Sequence, residues 1–364
     1  MPKDPEDEDI DLFRPVWETD DETLLEPPGR VRRSRLPAEP DYRHPLLVPL
    51  ARAQDAVARL EARVEAASPV IADGLRARIS YREASGWLSH AHIWVHPHDL
   101  ALRDHGLTGS YGAAFRAGRL EAEIPATMAG ELTFDTPPSD IMVDQAIRLA
   151  TLWRRLAELN TWRPLANTAA IRETLRLLGS GGGLPDAELT DWIAMADGEP
   201  GPFLIRAGRA GRDWMNRPGA KPRDPAGIFL AACLWRESGR RRAIPLPFWC
   251  APETRHHRLD LHIGLAWSAH FLDCVAAAAG VGLNELHRLL RAEEKGRLLV
   301  RTSRSRLRQA LTAVLRSPVV TAGGLARTLD VTPQAALGLL RQLVEARIIR
   351  EITGRASWRA FDLA

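Results

Sequence analysis

Residues 321–361 read TAGGLARTLDVTPQAALGLLRQLVEARIIREITGRASWRAF, a pattern of two short helices followed by a β-hairpin. Thr321 and Thr332 stand where a hydroxyl can cap the first turn of a helix. Pro333 follows at the first helical position, where its fixed φ angle suits a helix. Asp330 lies in the tight turn between the helices, where a residue tolerant of left-handed φ is needed.

Apolar residues in this stretch first recur at helical spacing and then change to a strand pattern. The inward positions of the two helices are apolar, and they are Leu325, Ala326, Leu329, Ala336, Leu340 and Leu343. Ile348-Ile349 opens a strand, Thr353-Gly354-Arg355 forms a tight turn, and residues 357–361 return as a second strand. This order predicts a winged helix-turn-helix over residues 303–364.

The predicted second helix is a recognition helix, whose N-terminal and outward residues would face base edges in double-stranded DNA. Gln334 can pair with adenine, and Arg341 with guanine or phosphate. The predicted DNA-contacting residues are Arg327, Thr332, Gln334, Arg341, Arg350, Arg355 and Arg359.

Arg327, Arg350, Arg355 and Arg359 suit phosphate oxygens, and Arg355 at the wing tip also suits a minor groove. Leu337 and Gly338 occupy outward positions of the recognition helix where polar side chains would read bases better, which indicates weak sequence discrimination. The same fold also serves for protein–protein contact, and that alternative stays open.

The charge of the chain is unevenly distributed. The segment from Arg288 to Ala364 holds 15 Lys and Arg against 6 Asp and Glu, while the whole chain has a net charge of +3. A basic end on a mildly acidic body is typical of a nucleic-acid-binding terminal domain. A GC-rich genome is the alternative source of so many arginines.

The rest of the chain divides into a short arm and a helical body. Residues 1–43 combine an acidic stretch with a basic, proline-containing run, which predicts a disordered arm. Residues 44–300 show helical periodicity and predict an all-helical domain, in which 259–279 and 283–290 are two separate helices. A homodimer through this body is one possibility. The predicted fold class is therefore mainly α, a helical bundle with a C-terminal winged helix-turn-helix.

Several classes of protein are not expected. No run of 18 uncharged apolar residues is present, so no membrane span is predicted. The acidic N-terminus lacks the apolar core of a secretory signal. Cys233, Cys250 and Cys274 are far apart, which argues against a disulfide framework or a zinc knuckle and favours the cytoplasm.

Histidines cluster in SHAHIWVHPHD as His90, His92, His96 and His98, with Asp99 beside them. Residues two apart on a helix point to different faces, so each pair is badly placed for one metal ion and no metal site is predicted. His256-His257 with His262 raises the same question.

GRAGRDW, residues 208–214, superficially resembles a phosphate-binding loop. No strand precedes it and no GK[ST] follows, so we interpret it as a turn. Trp87, Trp94, Trp153 and Trp162 are predicted to fill the core between helices.

Two further stretches, ALRDHGLTGSYGAAFRAGRLEAE (101–123) and WCAPETRHHRLDLHIGLAWSAHFLDCVAAA (249–278), carry a resemblance. Together with the C-terminal module, they resemble a group of uncharacterised alphaproteobacterial proteins with a helical domain of unknown function and a C-terminal helix-turn-helix. The resemblance covers residues 44–364. It implies the fold and the domain order rather than an activity.

LVEARIIREITGR (343–355) is similar to the ending of Fic-domain proteins, which transfer nucleotidyl groups with the motif HPFxxGNGRxGR. The nearest match here is RPGAKPRDPAGIF (217–229). It keeps Pro218 and Gly227, but Arg217 replaces the catalytic histidine. The resemblance therefore implies a Fic-like core without transferase activity.

These observations favour a DNA-binding transcriptional regulator that acts through the C-terminal module. The alternatives are a Fic-derived nucleotide-binding enzyme or pseudoenzyme, and a scaffold that uses the winged module for protein contacts. No catalytic residue and no cofactor is predicted.

Overall fold

The computed structural model describes residues 44–364 apart from several internal segments. The described ranges are 44–106, 140–158, 162–180, 184–198, 200–217, 224–237, 243–255, 264–300, 306–353 and 359–364. Pro45–Ala364 forms one compact unit. The predicted arm, residues 1–43, and the predicted boundary near 301–305 lie outside the described residues.

The protein is mainly α-helical, as predicted. The helices of the body are α1 (Leu47–Ala66), α2 (Pro69–His90), α3 (Pro97–Asp104), α4 (Asp140–Ala157), α5 (Thr168–Leu178), α6 (Asp186–Gly198), α7 (Phe203–Asn216), α8 (Ala226–Glu237) and α9 (Leu265–Leu299). A short 3-10 helix at Pro252–Arg255 precedes α9. Helix α9 packs against α1, α2 and α7, which makes it the central helix of the body.

The prediction of two separate helices in 259–279 and 283–290 was wrong, because α9 is one helix of 35 residues. A Cβ on Gly282 would lie 2.9 Å from the side chain of Leu60, so this glycine lets α1 approach α9 closely. The interpretation of residues 208–214 as a turn was also wrong, because they lie inside α7. There a Cβ on Gly208 would lie 2.6 Å from the ring of Phe271.

The tryptophans only partly follow the prediction. Trp87 and Trp153 are buried in the core, and Trp162 is half-buried. Trp94 is 41% exposed, so its assignment to the core was wrong. It follows the end of α2 at His90, where the helical spacing that suggested a buried position no longer applies.

By length and composition, α9 could cross a membrane, although no uncharged run of 18 residues is present in the sequence. Half of the most apolar 18-residue stretch of α9 is buried inside the protein. Packing between α1, α2 and α7 gives this helix a second reason to be apolar.

A buried carboxylate on α2 holds the segment that leads to the 3-10 helix. Glu83 accepts hydrogen bonds from the backbone N–H groups of Phe248, Trp249 and Cys250, at 3.0, 3.0 and 3.1 Å. Burial raises the pKa of Glu83, and these hydrogen bonds oppose that shift. Residues 248–250 are thereby fixed against α2 without regular secondary structure of their own.

The C-terminal part contains α10 (Arg306–Arg316), α11 (Ala322–Leu329) and α12 (Pro333–Glu345). A small antiparallel sheet completes it, with β1 (Val320–Thr321), β2 (Ile349–Glu351) and β3 (Ala360–Leu363) in the order β1-β3-β2. The two-residue strand β1 was not predicted. It pairs Val320 with Phe361 and so ties the start of α11 to the hairpin.

Helix α2 connects the body to this C-terminal part at the last turn of α10. A Cβ on Gly74 would lie 1.9 Å from the carbonyl oxygen of Leu315, so only glycine permits this approach. Four residues further along α2, the buried Arg78 donates hydrogen bonds to the carbonyl oxygens of Val314, Leu315 and Ser317, at 2.9, 2.8 and 2.8 Å. A helix leaves its last carbonyls without partners, and Arg78 supplies donors to this end of α10.

The substitution Gly74→Ala should lower the free energy of unfolding by about 1–3 kcal/mol, because the added methyl group forces α2 and α10 apart. Gly280→Ala is the matched control inside a helix, since a Cβ there meets nothing within 4 Å. It should raise stability by about 0.5–1 kcal/mol. Urea unfolding of both variants measures this difference, and equal effects would show that α2 does not press on α10.

Candidate nucleic-acid interface

The two helices of the helix-turn-helix begin at the predicted caps, and the first helix ends at the predicted turn. Thr321 Oγ1 accepts a hydrogen bond from Gly324 N at 3.1 Å, and Thr332 Oγ1 accepts one from Ala335 N at 3.2 Å. Asp330 takes the left-handed conformation, with a φ of 51°, in the turn between them. The turn and both caps are therefore set by local sequence.

The inward faces of α11 and α12 form a shared core. All six residues that were predicted to face inward are buried, and they are Leu325, Ala326, Leu329, Ala336, Leu340 and Leu343. On the other side of α12, Gln334 and Arg341 are exposed. They are seven positions apart, which is nearly two full turns, so they project from the same face about 10 Å apart.

Arg306 is a positioning residue that sequence reasoning missed. Its Nη1 donates a hydrogen bond to the carbonyl oxygen of Leu329 at 2.8 Å, at the C-terminal end of α11. It thereby joins the first turn of α10 to the turn that precedes the recognition helix. Local patterns carry no signal for this contact, because it depends on how α10 and α11 pack.

The predicted phosphate-contacting arginines do not all lie together. Arg327 is exposed on α11. Arg359 lies 3.8 Å from Glu351, which offsets part of its charge. Arg355 falls in 354–358, outside the described residues.

Arg350 is exposed but lies on the other face of the sheet from α12. Arg350 stands directly opposite Asp362 in the register of β2 and β3, and directly opposed residues share one face of a sheet. The neighbouring pair of Ile349 and Leu363 is buried against the helix-turn-helix core. Sequence alone could not assign these faces, because the register depends on which strand pairs with β3.

Asp362 is the centre of a buried charged cluster between the sheet and the body. His98 Nε2 lies 3.0 Å from one carboxylate oxygen of Asp362, and Arg288 lies 3.6 Å from the same oxygen. Arg78 lies 3.8 Å from the other oxygen and 3.5 Å from the buried Glu285. Glu285 also pairs with Arg82 at 2.8 Å and with Arg288 at 3.0 Å.

Burial of Asp362 tends to raise its pKa, but the hydrogen bond with His98 and the charge of Arg78 outweigh this effect and leave the pKa lowered. The ionised carboxylate is therefore the form that the folded protein favours. The outer face of the winged sheet is held against the body by this anion.

The histidine cluster resolves into structural roles. His96 Nδ1 accepts a hydrogen bond from the N–H of His98 and so caps α3, while His98 pairs with Asp362. The ring of His90 lies 5.1 Å from that of Trp249. In the part of the chain that the structure describes, no three His, Cys, Asp or Glu side chains form a metal-holding group. His256, His257 and His262 lie outside that part.

The segment that is similar to the Fic motif is described only at its ends. Arg217 pairs with Asp213 at 2.9 Å and donates to the carbonyl of Glu188 at 2.8 Å. A Cβ on Gly227 would lie 2.6 Å from the carbonyl oxygen of Gly211, so Gly227 allows α7 and α8 to pack closely. Both residues thus have structural partners, and residues 218–223 lie outside the described part.

Comparison with known proteins supports the C-terminal assignment. Residues 307–363 match a family described as a helix-turn-helix DNA-binding domain. The chain is also similar to the uncharacterized protein y4cF of Sinorhizobium fredii (strain NBRC 101917 / NGR234), with 31% identity over 186 residues. This alignment covers 49% of the present chain and 47% of that relative, about half the length of each. The C-terminal part of the chain is a helix-turn-helix DNA-binding domain.

The substitution Asp362→Asn should destabilise the protein at pH 7 by about 3 kcal/mol, because it leaves buried cations without their anion. Asp362 has a lowered pKa when folded, so its stabilisation is complete above the unfolded value of about 3.9 and is lost as the pH falls through the folded value. The difference in the free energy of unfolding between Asp362→Asn and the wild type should therefore persist at pH 5 and disappear below about pH 4.

Urea unfolding at several pH values measures this difference. Asp55→Asn is the control, since Asp55 forms an exposed pair with Arg59. It should change stability by less than about 0.5 kcal/mol. A difference for Asp362→Asn that is zero at pH 7, or that does not narrow in acid, would contradict the role assigned to the carboxylate.

Proposed function

We propose that the protein binds duplex DNA through the outer face of α12 and acts as a transcriptional regulator in the cytoplasm. The observation that carries this proposal is the exposure of Gln334 and Arg341 on one face of α12. The buried cluster around Asp362 occupies the opposite side of the winged sheet, so the body leaves this face of α12 accessible.

The side chains on this face suit a major groove. The amide of Gln334, in the first turn of α12, can donate to and accept from an adenine edge. Arg341 lies about 10 Å further along the helix, a distance of about three base pairs, and can reach guanine or a phosphate. The Thr332 hydroxyl accepts from Ala335 N and keeps its own proton free to donate to a phosphate.

Between Gln334 and Arg341, the outer face of α12 has few side chains that could form hydrogen bonds with bases. Leu337 and Gly338 are only partly buried and carry no polar side-chain atom. Phosphate contacts from residues such as Arg327 would then supply much of the affinity, and base preference would be modest. A homodimer formed through the helical body would raise selectivity by joining two half-sites.

Fluorescence anisotropy of a labelled duplex, with the intact chain, tests the proposal. Arg341→Ala should weaken binding roughly tenfold to a hundredfold at fixed salt, because a base or phosphate contact of 1–3 kcal/mol is lost. A truncation at residue 300 is a poor test, since Arg78 would lose three carbonyl partners.

Arg63→Ala is the matched control, because Arg63 is exposed on α1 of the body. It should leave the affinity unchanged. Wild-type protein that does not bind DNA at low salt would contradict the proposal and favour a protein-binding role for the winged module. Equal affinity of the wild type and Arg341→Ala for DNA would show that the interface does not lie on this face of α12.

A further inference from the structure

Part of the basic segment lies outside the helix-turn-helix. The family match begins at residue 307, whereas the basic residues begin on the last turns of α9. Four of them lie on that helix, and they are Arg288, Arg291, Lys295 and Arg297. The proposed contacts of α12 do not account for these charges.

One face of α9 lies against the winged module. Arg288 Nη2 donates a hydrogen bond to the carbonyl oxygen of Leu363 at 2.9 Å. Two turns later, Lys295 Nζ donates to the carbonyl oxygen of Arg347 at 3.4 Å. Arg291 lies between them at helical spacing and on the same side of α9.

Arg347 is held at the junction of the recognition helix and the wing. It lies two residues after the end of α12 and has a φ of 53°, a left-handed conformation that is uncommon for a residue other than glycine. Arg291, Lys295 and Arg347 are all exposed. We call these three residues the basic strip.

The acidic residues of this part of α9 are engaged elsewhere. Glu293 accepts a hydrogen bond from Ser68 at 3.2 Å, and Glu294 pairs with Arg297 at 2.7 Å. Arg297 offsets the charge of Glu294, and the three cations of the basic strip outnumber the single carboxylate of Glu293, so the strip keeps a net positive charge. Glu345, at the end of α12, is exposed and is the acidic residue nearest to Arg347 in sequence.

We propose that the basic strip is a second phosphate-binding surface, through which the helical body contacts the same duplex that α12 reads. This inference rests on the proposed DNA-binding function. The C-terminal end of a recognition helix can contact the DNA backbone, as it does in homeodomains. Arg347 occupies that position, and Lys295 and Arg291 extend the positive surface from it onto α9.

The salt dependence of binding measures the number of phosphates that a protein neutralises. The probe is a mixed-sequence duplex of about 30 base pairs, bound by the intact chain at several salt concentrations. The double variant Arg291→Gln and Lys295→Gln should reduce the slope of log affinity against log salt by up to about 2, since each contact contributes about 0.9. Glu345→Gln should raise the affinity, because it removes a negative charge beside Arg347.

Arg297→Gln is the matched control. Arg297 is on the same helix, two residues after Lys295 and so on a different face, and it already pairs with Glu294. It should leave the slope unchanged. Circular dichroism and the unfolding midpoint identify any variant that has lost its fold, and the single variant Lys295→Gln then replaces the double variant.

The outcomes separate this inference from the proposed function. In one outcome, Arg341→Ala weakens DNA binding but the double variant leaves the salt slope unchanged. That outcome would contradict the role of the basic strip and leave the DNA-binding proposal in place. The strip would also be overturned if the double variant altered the sedimentation of the free protein while its salt slope stayed the same. That result would identify a protein–protein surface. No DNA binding by the wild type would remove both proposals.

Discussion

The packing of the winged module against the helical body depends on the contacts of the Arg78 guanidinium group. It is buried, it donates to three carbonyl oxygens at the end of α10, and it faces the carboxylates of Glu285 and Asp362. Removal of a charged group from water is costly unless its partners are well placed. The body supplies Arg78 and Glu285, whereas the winged module supplies the carbonyls and Asp362. Arg78 therefore has its carbonyl partners, and Asp362 has its cations, only when the two parts are together.

This cluster also determines which surface of the winged module is open. The sheet has two faces, and the one that carries Ile349 and Leu363 covers the helix-turn-helix core. The other face carries Asp362, which is held by His98 and Arg288 of the body. The outer side of α12 is left exposed, with Gln334 on its first turn. The body thus contacts the module at the outer face of the sheet and, through Lys295, just after the end of α12, and it leaves the outer side of α12 exposed.

The local part of this architecture could be predicted from sequence, and the tertiary part could not. The caps at Thr321 and Thr332 and the left-handed Asp330 depend on neighbouring residues alone, and they were predicted correctly. The continuous course of α7 and α9 was not predicted, because a glycine such as Gly208 or Gly282 that admits a neighbouring helix has the same local pattern as one in a turn. The faces of Arg350 and Asp362 follow from a pairing between strands, which a single strand does not reveal.

Differential scanning calorimetry of the intact chain tests the central claim, that the buried cluster makes the body and the winged module one cooperative unit. We expect a single transition over Pro45–Ala364, with a calorimetric enthalpy equal to the van't Hoff enthalpy. Two separate transitions in the wild type, or a calorimetric enthalpy well above the van't Hoff value, would contradict it. The winged module would then fold independently of Arg78.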